Sequence, residues 1–334
     1  MPDILVLGAG VAGLACARQL AASGASVVVV DRADKPGGRC ATRWHDGTPF
    51  DYGTLFLHSA DKALLRAVAE MEEESGRVEA WPRRVQGSGT PCQPRAFSRE
   101  EKRVAFSAGM HAFPRSLARG LEIRLNTLVM SIRPGKDSIT VETDHEELRA
   151  RDVVITFALE QSMPFLKSLG REAHNLDVPL GMFSTVPCLA LAAGYPAGVS
   201  LPDWDVLYPE EEETLLLVAN ELSKRPATRQ PVLVIQASAR WSRRNLERPK
   251  EEWSVELLAA AARRLGPWAA SPSWVHPHRW RYSRLDPSTE LATPVAVSLR
   301  NCRIGLAGEL FSSGGGLQAA WRSGGRLAEM LLTR

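Results

Sequence analysis

The clearest chemistry in the chain lies in its first thirty-one residues. A short apolar run, Ile4 to Leu7, leads into Gly8-Ala9-Gly10-Val11-Ala12-Gly13, and a second apolar run, Val27 to Val30, ends at Asp31. A GxGxxG loop between a strand and a helix suits a dinucleotide pyrophosphate. Gly8 permits the tight turn, Gly10 admits a phosphate to the backbone, and Gly13 lets the helix pack on the strand. The backbone N–H groups of Ala9, Val11 and Ala12 at the helix start favour the phosphate charge. Asp31, with Arg32 beside it, is placed to accept hydrogen bonds from ribose hydroxyls and to repel a 2′-phosphate. A lone glycine turn is common in ordinary α/β proteins; the flanking strand, helix, strand and acid make the dinucleotide reading.

The elements that must position these residues form a β-α-β unit. Ala12 to Ser23 is rich in alanine and leucine and reads as a helix, with Gly24 just past its end. Further on, three short strands, Leu128–Arg133, Ile139–Thr143 and Glu147–Arg149, read as a β-meander, and Val153 to Thr156 as a return to the main sheet. Near the end, Arg303 to Ala307 reads as a strand and Leu317 to Leu332 as a helix, joined by Gly308-Glu309 and a glycine-rich loop.

Composition excludes several classes. With 334 residues, 44% hydrophobic and 24% charged, the chain is ordinary globular material, and its length suits two domains. The formal net charge is only +3 and the charges are mixed, so no basic tract suggests nucleic acid. No stretch reaches the roughly 20 apolar residues of a membrane span. The start, MPDILVLGAG, lacks a basic n-region, and the cysteines (Cys16, Cys40, Cys92, Cys188 and Cys302) are odd in number without CxxC spacing. A cytoplasmic setting is expected, without a disulfide frame or a metal site.

Lys35-Pro36-Gly37-Gly38-Arg39-Cys40 and Phe50-Asp51-Tyr52-Gly53-Thr54 follow Asp31. An acid-ended strand, then GGR, then D-x-G resembles the opening of the glutathione-reductase-like flavoproteins related to amine oxidases. The resemblance implies non-covalent FAD, with Gly38, Arg39, Asp51, Gly53 and Thr54 among its contacts. Val129 would pair with the adenine edge, and Thr156 closes the returning strand. Gly308-Glu309 and the helix start at Leu317, Gln318 and Ala319 resemble the closing flavin motif, the carboxylate taking a ribityl hydroxyl and the helix end facing the flavin's pyrimidine edge. Glu309 stands where the family usually has Asp, and Ala158 where it usually has Pro. Close packing would explain Gly324 and Gly325 inside the last helix.

The fold expected is α/β: a Rossmann-type FAD-binding domain of the glutathione-reductase/amine-oxidase type with a mixed-sheet α+β substrate domain. The FAD domain is expected over 1–75, 101–160 and 296–334, and the substrate domain over 76–100 and 161–295. The substrate domain holds six of the nine tryptophans, strands at Leu215–Val218 and Val232–Ala237, and a helix over Glu251–Leu265. Ser59 to Gly76 reads as a helix, and Glu79 to Glu100 as a strand-and-loop excursion. Arg240-Trp241-Ser242, His278-Arg279-Trp280-x-Tyr282 and Gln318-Ala319-Ala320-Trp321 resemble segments of renalase-like proteins. That family often has Ala-Gln-Tyr after D-x-G, where this chain has Thr54-Leu55-Phe56.

Candidates for the substrate pocket are Leu55, Phe56, His58, Trp241, His278, Trp280 and Tyr282. Core filling by Trp241, Trp280 and Tyr282, and solvent exposure of His58, are equal alternatives. His276-Pro277-His278 is read as structural, its two histidines pointing apart. The function expected from the resemblance is hydride transfer from a small organic substrate, such as an isomeric dihydronicotinamide dinucleotide, to flavin N5, with O2 as acceptor and H2O2 as product. An amine oxidase, a desaturase of apolar substrates, a flavin-binding protein without turnover and a plain NAD dehydrogenase are the alternatives. The sequence does not reveal the oligomeric state.

Overall fold

The structure is a computed structural model that describes residues 1–87, 100–169, 183–210, 212–228, 230–286 and 293–333. The chain forms two compact units. The first comprises Met1–Gly38, Phe113–Thr185 and Arg284–Arg334; the second comprises Arg39–Ala112 and Val186–Ser283. Residues 39–75 and 101–112 thus group with the second unit.

In the first unit a six-stranded sheet runs in the order Val295–Leu299, Cys302–Leu306, Asp152–Ile155, Ile4–Leu7, Val27–Val30, Glu122–Arg124. All neighbours are parallel except the edge strand Val295–Leu299, which is antiparallel to Cys302–Leu306. The inner strands read ILVL, VVVV and DVVI and are buried at every residue. Burial on both faces explains their unbroken apolar pattern. The helices Val11–Ala22 and Gly316–Leu332 approach closely at Gly324, where a Cβ would stand 2.2 Å from the Ala12 carbonyl oxygen. That contact accounts for a glycine that costs about 1 kcal/mol against Ala within a helix. The expected meander is present as Val129–Pro134, Ile139–Thr143 and Glu147–Ala150, all antiparallel.

The second unit is built on a mixed six-stranded sheet ordered Trp274–Leu285, Thr185–Gly194, Val232–Ala237, Leu215–Asn220, Val206–Leu207, Val85–Gln86. The helix Lys250–Leu265 buries Trp253, Leu257, Ala260 and Ala261 in a core shared with Leu189, Leu191, Leu233 and Ile235. A hairpin, Thr42–His45 and Thr48–Asp51, turns at Asp46-Gly47, both with positive φ, the pairing that a tight hairpin demands.

One expectation is corrected. Ser59 does not begin a helix: it ends the strand Leu57–Ser59, and the helix spans only Lys62–Ala69. Asp61 is the cap, its carboxylate accepting from the Leu64 N–H at 2.9 Å, the geometry that starts a helix. In the Glu79–Glu100 excursion, Val85–Gln86 forms a strand parallel to Val206–Leu207; positions 88–99 lie outside the described residues.

Candidate functional site

The parallel strands Ile4–Leu7, Asp152–Ile155 and Cys302–Leu306 end side by side, and their C-termini deliver Gly8, Thr156 and Gly308 to one edge of the sheet. Ligands of open α/β sheets bind outside that edge. Gly8 has φ +112°, and a Cβ there would stand 2.5 Å from Thr156 Oγ1. Thr156 Oγ1 lies 3.0 Å from the Leu7 carbonyl oxygen and 3.2 Å from that of Gly8, so it buttresses the turn from behind. At Gly13 a Cβ would be 2.0 Å from the Gly8 oxygen, which leaves no alternative to glycine.

Gly10 and Gly308 differ from these. A Cβ at either meets nothing within 4 Å. Gly38, with φ +56°, stands opposite, its Cβ position 3.6 Å from Gly10 Cα. The bare backbone at Gly10 therefore opens onto space at the start of the Val11–Ala22 helix, room that fits a pyrophosphate. Asp31 Oδ2 accepts from the Ala9 N–H at 2.7 Å, and Oδ1 from the Ala33 N–H at 2.8 Å. The acid thus shapes the glycine loop, and a carboxylate with about four acceptor positions keeps capacity for ribose hydroxyls. Arg32 beside it is exposed.

Glu309 is buried, and its Oε1 accepts from the Gly316 N–H at 2.8 Å, closing the glycine loop onto the last helix. Leu317, Gln318 and Ala319 form that helix's first turn, Gln318 and Ala319 buried. Val129 pairs with Thr143, and the ladder bulges before Ser131.

In the second unit, Asp51 takes a different role from the one expected. It has no exposed surface, and its own protein saturates it. Oδ1 accepts from Thr42 Oγ1 at 2.6 Å and the Met110 N–H at 2.8 Å; Oδ2 accepts from Lys224 Nζ and Arg225 Nη2, both at 2.9 Å. Glu221 completes the group, 2.7 Å from Lys224 and 2.5 Å from Arg225. Burial alone would raise the Asp51 carboxyl, but Lys224 and Arg225 overcome it and hold the group at about 2. Asp51 is therefore not the direct cofactor contact expected: every lone pair is spent on holding the segment it begins. Gly53 has no room for a Cβ, which would stand 2.2 Å from the Arg39 oxygen and 2.9 Å from the Trp280 ring. The Thr54 N–H donates to the same Arg39 oxygen at 2.9 Å, and Arg39 Nη1 donates to the Ser283 oxygen at 2.9 Å.

The pocket candidates fall into three places. Leu55 and Phe56 pack around buried Trp81, and His58 sits on the next strand 3.6 Å from Glu101. Burial lowers the His58 ring against the opposing pull of Glu101. Trp241 packs with the core under the Lys250–Leu265 helix. His278, Trp280 and Tyr282 belong to a row. Along the edge strand Trp274–Leu285, residues two apart share a face. Trp274, His276, His278, Trp280 and Tyr282 are therefore five rings at one spacing, all half-buried. This corrects the expectation that His276 and His278 point apart.

The hairpin lays more rings on the row. His45 stacks on Trp274 at 4.2 Å, Tyr52 stacks on Trp280 at 5.3 Å and meets His278 edge-on at 4.7 Å, and Arg43 lies 4.6 Å over the Tyr52 ring. Burial pushes His278 down to about 4, helped by the positive charges of Arg43 and Lys250. His276 is lowered by burial, then by His45 and Arg43. Arg43 bears on both rings, and Lys250 on His278. Arg43, Tyr52 and Lys224 are not among the candidates drawn from the sequence, although the two-residue ring spacing in Trp274–Tyr282 is visible there.

An open α/β sheet with a glycine turn at its carboxyl edge is the arrangement of a dinucleotide-binding protein. A profile described as an NAD(P)-binding Rossmann-like domain matches residues 6–71, and one described as flavin containing amine oxidoreductase matches residues 73–332. The chain belongs to the flavin containing amine oxidoreductase family, an FAD-binding family. It is 37% identical over 73 residues to a putrescine oxidase of Kocuria rosea, covering 22% of this chain and 15% of that protein. It is 45% identical over 62 residues to a neurosporene-forming phytoene desaturase of Rhodobacter capsulatus, covering 19% of this chain and 12% of that one. Only a small part of those relatives' length is thus matched. In fold it is similar to a mutant of putrescine oxidase, with TM-score 0.74 and 16% identity over 100% of this chain and 99% of that one. Cyclohexylamine oxidase from Brevibacterium oxydans gives TM-score 0.70 at 16% identity, over 99% of both chains. Among the described residues no helix is long and apolar enough to cross a membrane.

Proposed function

We propose that this protein is an FAD-dependent oxidoreductase of the renalase-like type, which oxidises a flat, anionic ring donor such as an isomeric dihydronicotinamide dinucleotide. When bound, the flavin supplies the hydride acceptor at N5 and passes the electron pair to O2, giving H2O2. The first unit holds FAD. The backbone from Ala9 to Ala12 and Gly38 face the pyrophosphate, Asp31 the ribose, Glu309 the ribityl chain, and the helix start at Leu317–Ala319 the pyrimidine edge. The ring row of the second unit receives the substrate.

The observation that carries the substrate class is the row of rings with Arg43 4.6 Å over the Tyr52 ring. Rings suit a stacked heterocycle. Arg43 and Lys250 suit its phosphates and disfavour a protonated amine. His278, kept neutral, adds no further charge. Cys16, Cys40, Cys188 and Cys302 are buried free thiols, which suits a cytoplasmic setting. The test is O2 uptake with equimolar H2O2 release on dihydronicotinamide isomers; no uptake with any isomer rejects this substrate.

Amine oxidation is the second reading. It is favoured by the family match over residues 73–332 and by the putrescine oxidase fold. Uptake of O2 with primary amines alone would select it.

A further inference from the structure

His45 and His276 stand 231 residues apart in the chain and meet within the second unit. His45 ends the strand Thr42–His45, and His276 lies in the edge strand Trp274–Leu285. Nδ1 of His45 is 3.0 Å from Nε2 of His276. Both rings are half-buried and fixed by their neighbours: His45 stacks on Trp274 at 4.2 Å, and His276 on Phe50 at 5.4 Å. Asp46 Oδ2 faces the other nitrogen of His45, Nε2, at 3.6 Å. A carboxylate on that side favours the tautomer with its proton on Nε2 and a lone pair on Nδ1.

Two ring nitrogens this close share something between their lone pairs, either one hydrogen or one metal ion. Zinc–imidazole bonds are about 2.0–2.1 Å, so two imidazole nitrogens on one ion stand about 2.9–3.4 Å apart. The observed separation falls in that window. Imidazole suits zinc, nickel and copper, whereas magnesium and calcium take oxygen ligands. Of the charged groups that bear on the pair, Arg43 opposes a cation and Asp46 favours one. Burial, with His45 and Arg43 beside it, holds His276 below the ordinary histidine value, which leaves its lone pair open at neutral pH. Among the described residues no larger group of histidine, cysteine and carboxylate ligands forms around them. We propose that His45 and His276 are a two-histidine chelate for a late first-row divalent metal ion, zinc or nickel, with water completing its coordination. The site is independent of the FAD reading. An ion there ties the hairpin to the edge strand that carries the ring row, and so stabilises the folded chain by mass action.

The test is calorimetric titration of the full chain with zinc chloride and, separately, with nickel chloride, beside thermal melting with and without the metal. His45→Phe and His276→Phe each keep a ring in its stack and remove one ligand nitrogen. His145→Phe removes an exposed histidine of the first unit and serves as the control. The unaltered chain and the control are expected to take up the same equivalent of metal and to melt at a higher temperature with it. His45→Phe and His276→Phe should each bind that equivalent at least about tenfold more weakly and lose the metal-dependent shift in melting. No uptake by the folded, unaltered chain means that the two rings share a hydrogen only, and overturns the proposal. Uptake that persists undiminished in either folded variant overturns it too; if one variant does not fold, the other decides.

Discussion

Lys224 Nζ lies 2.9 Å from Asp51 Oδ2, and neither side chain has any surface exposed to solvent. Removing one partner of a buried ion pair leaves an uncompensated charge, which costs far more than the intact pair contributes. Lys224→Met is therefore expected to lower unfolding free energy by about 3–5 kcal/mol, measured by urea denaturation. Asp51→Leu in the Lys224→Met background should cost less than the sum of the single changes, because the charge left over is gone.

Gly10 and Gly13 separate binding from folding. Gly10 has φ −78° and ψ 177°, backbone that any residue adopts, and open space beyond it. Gly10→Val should leave the apoprotein's melting temperature unchanged and weaken FAD binding at least about 100-fold, roughly 2.7 kcal/mol, read by quenching of flavin fluorescence. Gly13→Val should instead destabilise the apoprotein by about 1–3 kcal/mol, since its Cβ would overlap the Gly8 oxygen.

The adjacent glycines of the last helix should respond in opposite ways. Gly324→Ala drives a Cβ to 2.2 Å from the Ala12 oxygen and should cost about 1–3 kcal/mol. Gly325→Ala meets only the flexible end of Gln19, at 3.2 Å, and gains up to about 1 kcal/mol of helix propensity. Thermal melting of the two variants checks the contrast.

Acid should weaken the protein through His278. Its folded pKa is about 4 against an ordinary 6.5, so as pH falls the unfolded chain takes the proton first. The stability it contributes is full above pH 6.5 and is lost as pH falls toward 4. Linkage gives up to about 3 kcal/mol, and roughly 2 after allowance for solvent screening of a half-buried ring. His278→Phe should keep the ring contacts and flatten this part of the stability–pH curve. Asp51, held at about 2 against 3.8, adds a second loss below pH 3.8 in both proteins.

The nucleotide half of the site was legible because its logic is local. Strand, glycine turn, helix and Asp31 lie within one short stretch, and Gly8 and Gly13 are forced by contacts inside that unit. Asp51 was not legible. Its partners Lys224 and Arg225 stand 173 and 174 residues away, in a Glu221-Leu222-Ser223-Lys224-Arg225 run that has the composition of a solvated turn. Nothing in a charged run says that it folds inward; only the tertiary structure brings the compensating acid. The ring row lies between these cases. Its spacing of two is written in Trp274, His276, His278, Trp280 and Tyr282, but the proline between the histidines obscures the strand, and the hairpin that lays His45 and Tyr52 on it is remote.

The account turns most directly on what reduces the flavin. The measurement is an anaerobic titration of the FAD-loaded protein, following the visible flavin band, with dihydronicotinamide isomers in one series and putrescine and other primary amines in another. The account predicts stoichiometric bleaching by an isomeric dihydronicotinamide dinucleotide, weakened when Arg43 is replaced by Ala, and none by the amines. Bleaching by an amine, with every dihydronicotinamide inert, would contradict it.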